Sequence, residues 1–429
     1  MSRIDESITG RVSRRTFLKG AGVTLAAAPL MNLFGGEALT ASPSAGNCHA
    51  AQEFGTRLVL LGTTGGVSWW PETARASSSS ALVVGETIYL VDLGQGSSSR
   101  LSEAFNTEPI MNGDSYCGAG SSTFLRNVKA LFFTHLHNDH IADYPNLLLI
   151  GPGAGLGTLN PLQVIGPCNR GQLDINKTGF DESKLVYTDS AAPALITPTP
   201  GTRQMTDLIW QAFAQTINDM TLDNAYPDFR SLVEVTEIGT TLPAKDSPTC
   251  PVTPPFLIYP DDENGVEVWA TLVDHHQVYP AFAFRFNTPD GSVVFSGDTG
   301  ANTNGNLQTL AWGADILVHE VIDTEWVNFK FGANPPEGTP AYALRQHMLN
   351  SHTPIEEVGA VAESCGVKTL VLNHLVPGVM PVSRQQQARS GFSGKLIFGR
   401  DLMQIHVGRR WGKRIRIDRE SVAIHDLIL

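Results

Sequence analysis

Residues 131–145 read LFFTHLHNDHIADYP, and the hexapeptide His135-Leu136-His137-Asn138-Asp139-His140 within them decides how the rest of the chain is read. The chain has twelve histidines in 429 residues. Three of them, with an aspartate, fall in these six positions, directly after the apolar run Val128 to Thr134, which reads as a buried strand. Residues 135 and 137 point the same way from an extended strand end, while 139 and 140 turn to an adjacent position. Imidazole nitrogen and carboxylate oxygen are zinc-type ligands, and the arrangement suits two metal ions rather than one.

Four side chains cannot complete two sites, so further donors are expected at other strand ends. Three segments supply them: Val273-Asp274-His275-His276, Ser296-Gly297-Asp298-Thr299-Gly300 and Leu372-Asn373-His374. Gly297 and Gly300 bracket Asp298 and allow backbone to approach an ion closely, and the Asp298 carboxylate could bridge two metals. His275 and His276 are adjacent, and on an extended strand only one can face the metals; register alone does not choose between them.

Around these donors the pattern is strand-rich. Arg57 to Gly62, two runs within Ser80 to Gly94, Leu162 to Ile165, Val266 to Phe286, Ser292 to Ser296, Ile316 to His319, Thr369 to Leu372 and segments near 395 to 407 read as strands. Pro354 to Cys365 reads as a helix. Met205, Leu208, Ile209, Phe213, Ile217 and Met220 recur at helical spacing within 202–220. Two strand-rich halves with interspersed helices predict an α/β fold of two sheets packed face to face with helices outside.

With HLHNDH, SGDTG and LNH in that order, the sequence resembles the metallo-β-lactamase superfamily over roughly residues 56 to 407, in particular the branch containing ribonuclease Z and the zinc-dependent alkyl- and arylsulfatases. The resemblance implies an αββα sandwich of two mixed β-sheets. It implies two Zn2+, with Mn2+ or Fe as substitutes: His135, His137 and His275 on the first ion, Asp139, His140 and His374 on the second, Asp298 bridging. The spacing to Pro280 in the family segment favours His275 over His276. His319-Glu320 and His352-Thr353-Pro354 look like two further family segments, which together support an active-site histidine, His352, as proton donor to the leaving group; His352 and Asp139 are the expected catalytic side chains, and His319 a supporting or core histidine. The chain departs from the family in the long interval between His140 and His275, which reads as a helical insertion at about 180–250 serving as a lid or dimer element, and in lacking a basic Gly/Pro arm of the kind ribonuclease Z uses on transfer RNA.

A divalent ion lowers the pKa of bound water from about 15.7 towards about 7 and so supplies hydroxide at neutral pH. The favoured expectation is therefore an exported dinuclear zinc hydrolase of a small anionic sulfate or phosphate ester, arylsulfatase-like or phosphodiesterase-like. The alternative is a ribonuclease Z-like RNA 3′-processing endonuclease. A lactone or β-lactam hydrolase comes third, because fold alone does not choose the bond broken, and a metal-dependent binding protein is the non-enzyme reading.

Composition bears on setting. The net charge of −12 repels nucleic acid on average, although Arg409 to Arg416 forms a local basic stretch. Five cysteines form no C-x-x-C pair, so neither a thiolate zinc site nor a redox motif is written here. Ser13-Arg14-Arg15-Thr16-Phe17-Leu18-Lys19 before the apolar, Gly/Ala-rich stretch 21–34 resembles a twin-arginine export signal within residues 1–45, with cleavage between Ala38 and Ala45. That predicts the Tat export machinery as a partner and a periplasmic or secreted bacterial protein without a stable membrane anchor, whose sandwich domain is followed by an extension at 408–429. Nucleic acid is not an expected partner, and a homodimer is left open.

Overall fold

The structure is a computed structural model, and it describes residues 55–66, 68–117, 123–169, 200–242, 250–302, 304–408 and 417–418. These residues all lie in the compact unit Glu53–Leu429. The expected export signal lies outside them, as do the 180–199 and 243–249 parts of the expected insertion and nearly all of the 408–429 extension.

Two sheets form the body. The first has eight strands in the spatial order Ile417–Asp418, Gln404–His406, Arg57–Gly62, Ser79–Val84, Thr87–Val91, Val128–Phe132, Leu162–Pro167 and Val233–Ile238. The second has seven: Lys395–Phe398, Thr369–Val376, Ile316–Ile322, Ser292–Phe295, Phe282–Asn287, Val266–Leu272 and Phe256–Asp261. Both sheets are mixed, with parallel pairs on the side that carries the helical crossovers.

Side chains alternate across each strand, and this sets the layers. Leu58 and Leu60 point into the seam between the sheets with Phe132, Phe284 and Phe286, whereas Val59 and Leu61 face the outer helices with Leu131, Phe133 and Tyr144. Phe132 meets Phe286 edge-on, ring centroids 5.2 Å apart. The second sheet likewise covers Leu317, Leu370 and Leu372 with Leu307, Leu310 and Val358. Strands covered on both faces need continuous apolar runs, as ILVHEVI and TLVLNHLV provide, every residue of them buried. The result is the expected αββα sandwich. No helix among the described residues is long and apolar enough to cross a membrane.

Three elements differ from the sequence reading. The helical stretch at 202–220 is two helices, Thr202–Ala212 and Ala214–Asn224, meeting at Phe213, which is exposed. The expected Met205, Ile209, Ile217 and Met220 pack half-buried against the core, and Thr202, Thr206 and Trp210 are buried beside them, the threonine hydroxyls finding partners in the Pro167 carbonyl and the Tyr144 hydroxyl. The helix expected from Pro354 begins at Val358, since Ile355 N–H and Pro354 are engaged with Ile322 at a strand end. The strands from Ile316 and Thr369 run on to Ile322 and Val376, and their pairing slips between His319 and Val321. At that irregularity Glu320 stands opposite Asn373 and His374, which brings the carboxylate and the histidine to the same end of the sheet.

Candidate metal centre

Each expected donor arrives at the same end of the sandwich. The strand Val128–Phe132 runs into Thr134 and His135; His137 then precedes the short helix Asn138–Ile141, whose first turn holds Asp139 and His140. His275 follows Val266–Leu272, Asp298 follows Ser292–Phe295, and His374 lies in Thr369–Val376 at a positive φ of 46°. His135, His137, His275 and Asp298 form one group with donor atoms within 4.8 Å of one another, and Asp139, His140, Asp298 and His374 form a second on the same criterion.

Asp298 belongs to both. Its Oδ2 is 3.8 Å from His135 Nε2, 3.8 Å from His275 Nε2 and 3.1 Å from His374 Nε2, while Oδ1 is 3.2 Å from His140 Nε2. Asp139 Oδ2 lies 3.1 Å from His374 Nε2 and accepts the Gly66 N–H at 2.7 Å. His276 takes a left-handed turn at φ 51° and stands outside both groups. The backbone thus presents His275 and turns its neighbour away.

The far sides of the rings are anchored. His140 Nδ1 donates to Asp92 Oδ2 at 2.8 Å, and Asp92 also accepts the Thr134 N–H and hydroxyl. His275 Nδ1 donates to the Ser351 carbonyl at 2.8 Å. Holding a proton on Nδ1 leaves the Nε2 lone pair facing the cluster, as a metal ligand needs. A Cβ on Gly65 would lie 2.1 Å from the His374 ring, so this loop must be glycine to close over the site.

Electrostatics separate the two groups. Burial drives the pKa of His135 and of His275 well down and keeps both neutral. Burial also disfavours charge on His140 and His374, but the surrounding carboxylates, Asp298 foremost, outweigh it and raise both. Asp298 is held well below the usual carboxylate range, since His374 and His140 overcome its burial penalty. His135 Nε2, His140 Nε2 and Asp298 Oδ1 are buried with no hydrogen bond of good geometry. Buried polar atoms without partners are costly, and imidazole and carboxylate donors converging in this way suit divalent zinc-type ions. The residues therefore fit a metal centre.

Beside it lies His352, which sequence reasoning placed here. Its Nδ1 is 3.2 Å from Glu320 Oε1 and 3.8 Å from Asp298 Oδ2, and its ring stacks near that of His374. Glu320 Oε1 also accepts the N–H groups of Thr299 and Thr353, both at 3.0 Å. Burial lowers the His352 pKa, yet Glu320 and Asp298 raise it by more, and the net direction is upward. His319 is fully buried and donates from Nδ1 to the Glu320 carbonyl, a supporting position. Glu320 lies in the His-Glu segment that the resemblance linked to His352, and it anchors that ring; Asp92, which anchors His140, went unassigned from sequence. Asp92 follows the apolar strand Thr87–Val91 directly, the same signal that marked other donors, whereas Glu320 sits inside Ile316–Ile322 at the slip in its pairing.

Two mixed sheets flanked by helices, with this ordered histidine and aspartate set at one end, make the metallo-β-lactamase fold that the sequence resemblance implied. No family model matches it. It is 27% identical over 357 residues to "Ribonuclease Z" of Mycobacterium bovis (strain BCG / Pasteur 1173P2), covering 82% of this chain and 99% of the relative. To "Ribonuclease Z" of Mycobacterium sp. (strain KMS) it is 27% identical over 355 residues, 82% of this chain and 95% of the relative. Among solved structures, that of human tRNase Z, short form, aligns with a TM-score of 0.49 at 17% identity, over 82% of this chain and 99% of the other.

Proposed function

We propose that the chain is a metal-dependent hydrolase of phosphodiester bonds with a ribonuclease Z-like centre. The observation that carries this reading is the single buried cluster in which Asp298 joins two donor groups beside an anchored His352. Sequence relatives named ribonuclease Z, matched over almost their whole length, support it. The relatives give no support to the sulfate-ester half of the reading favoured on sequence; they support its ribonuclease Z-like alternative better, and the phosphodiester half is kept. The same relatives weigh against leaving RNA out of the substrates, which net charge alone had suggested.

His135, His137, His275 and Asp298 would hold one ion, and Asp139, His140, His374 and Asp298 a second. When bound, divalent ions supply Lewis acidity, which makes hydroxide available at neutral pH and neutralises charge on the phosphoryl group. The protein's own groups do the rest. Asp92 and the Ser351 carbonyl keep the ligand tautomers. Glu320 orients His352 and favours its protonated form, so that His352 delivers a proton to the departing alkoxide. Export through the twin-arginine pathway is proposed on Arg14 and Arg15.

The test is turnover by the purified, metal-loaded chain on four substrates: bis(p-nitrophenyl) phosphate, a precursor transfer RNA, p-nitrophenyl sulfate and a lactone. Cleavage of the phosphodiesters well above the other two is expected. Preference for the sulfate or the lactone would overturn the proposal.

A further inference from the structure

A cavity of about 370 Å3 opens beside the metal centre. One side of its wall comes from the two loops that present the donors, and the other from Pro167, Cys168, Pro200 and Met205. Leu136 lies between His135 and His137, Ile141 follows His140, and Val278 and Tyr279 follow His275 across a tight turn closed by Val278 N–H to the His275 carbonyl at 3.0 Å. Met205, from the helix Thr202–Ala212, completes the wall, and half-buried His137 stands where the cavity meets the donor cluster. A substrate group bound here is thus held next to the scissile bond by construction of the loops.

The lining decides what that group is. None of the described lining residues is Lys, Arg, Asp or Glu, and most of the wall is aliphatic side chain or proline. A phosphate or sugar placed here would lose its water without gaining partners. A nucleobase would find few groups for its polar edge. The volume falls within the range of about 300–1,000 Å3 typical of small-molecule pockets. We infer that this cavity is the subsite for an uncharged aryl group esterified to the phosphate under attack, so that the enzyme favours aryl phosphodiesters. The inference rests on the phosphodiester reading for the scissile group only.

Isothermal titration of the metal-loaded chain with diphenyl phosphate and with dimethyl phosphate tests it without requiring turnover. Diphenyl phosphate is expected to bind at least about tenfold tighter, equivalent to about 1.4 kcal/mol. Met205→Asp, which puts a charge in the wall, and Val278→Trp, which fills the cavity, should each bring the ratio towards one; melting temperature and metal content report whether each variant folds. Equal affinities in the wild type, or a ratio that survives both folded variants, would overturn the assignment. So would adenylyl-adenosine binding more tightly than diphenyl phosphate, which would make the subsite one for a base. If the preference holds and no phosphodiester is cleaved, the subsite stands and the functional reading above fails.

Discussion

Glu320→Gln separates charge from shape at the centre of the proposed mechanism. In the wild type one carboxylate oxygen accepts from Thr299 N–H and Thr353 N–H, and His352 Nδ1 lies 3.2 Å from it. Glutamine keeps an acceptor for both amides, so the strand ends should stay in place; alanine would strand two buried donors at about 1–3 kcal/mol each. What glutamine removes is the negative charge beside His352. A hydrogen bond to a charged group contributes about 1.5–3 kcal/mol and a neutral one about 0.5–1.5 kcal/mol, a difference near 1.4 kcal/mol or about one pH unit. The sign follows from the role. His352 must be protonated to act as an acid, and its pKa is raised in the folded protein. Activity is therefore present below that pKa and lost as pH rises through it, and Glu320→Gln should move this falling limb to lower pH by about one unit. The assay is kcat against pH for an alkyl and for a p-nitrophenyl phosphodiester, since p-nitrophenolate leaves without a proton. A larger loss on the alkyl substrate is expected. An unmoved limb, or equal losses on both substrates, would refute the role given to Glu320 and His352.

Two further outcomes follow from the same geometry, and a third from the sequence motif at Arg14 and Arg15. His275→Ala should lose bound metal and turnover together, whereas His276→Ala, outside both donor groups, should stay near wild type; the reverse pattern in metal analysis would show the ligand shifted by one residue. Gly65→Ala should lower metal affinity by at least about tenfold, because the new methyl cannot coexist with the His374 ring as placed, and wild-type zinc binding in a competitive chelator titration would contradict this. Replacing Arg14 and Arg15 together by Lys should strand the precursor inside the cell, as read by fractionation, and normal export would point to another route.

The donors were legible because each is written at the end of an apolar strand, where a polar residue is conspicuous, and because HLHNDH gathers four of them locally. The sandwich was legible from fully apolar runs that need cover on both faces. What escaped depended on tertiary partners. Asp92 anchors a histidine from a segment distant in sequence, and nothing in its own neighbourhood names that histidine; Glu320 was reachable only through the family segment it belongs to. The stripe Thr202, Thr206, Trp210 was hidden because threonine counts as polar until its hydroxyl is seen to have a partner. His275 was preferred on the spacing to Pro280, and the backbone supplies the physical reason, since His276 turns through a left-handed φ that alternation does not predict.

The central claim is one buried cluster that holds two ions and hydrolyses a phosphodiester, with Asp298 shared between them. Its most direct test is a divalent-metal titration of the chelator-stripped protein, counting bound ions and bis(p-nitrophenyl) phosphate turnover in the same samples, for wild type and Asp298→Ala. The account predicts that wild-type turnover rises with binding and saturates near about two ions per chain, while Asp298→Ala loses metal from both sites and most of its activity. Turnover undiminished in the stripped protein, or wild-type stoichiometry in Asp298→Ala, would contradict it.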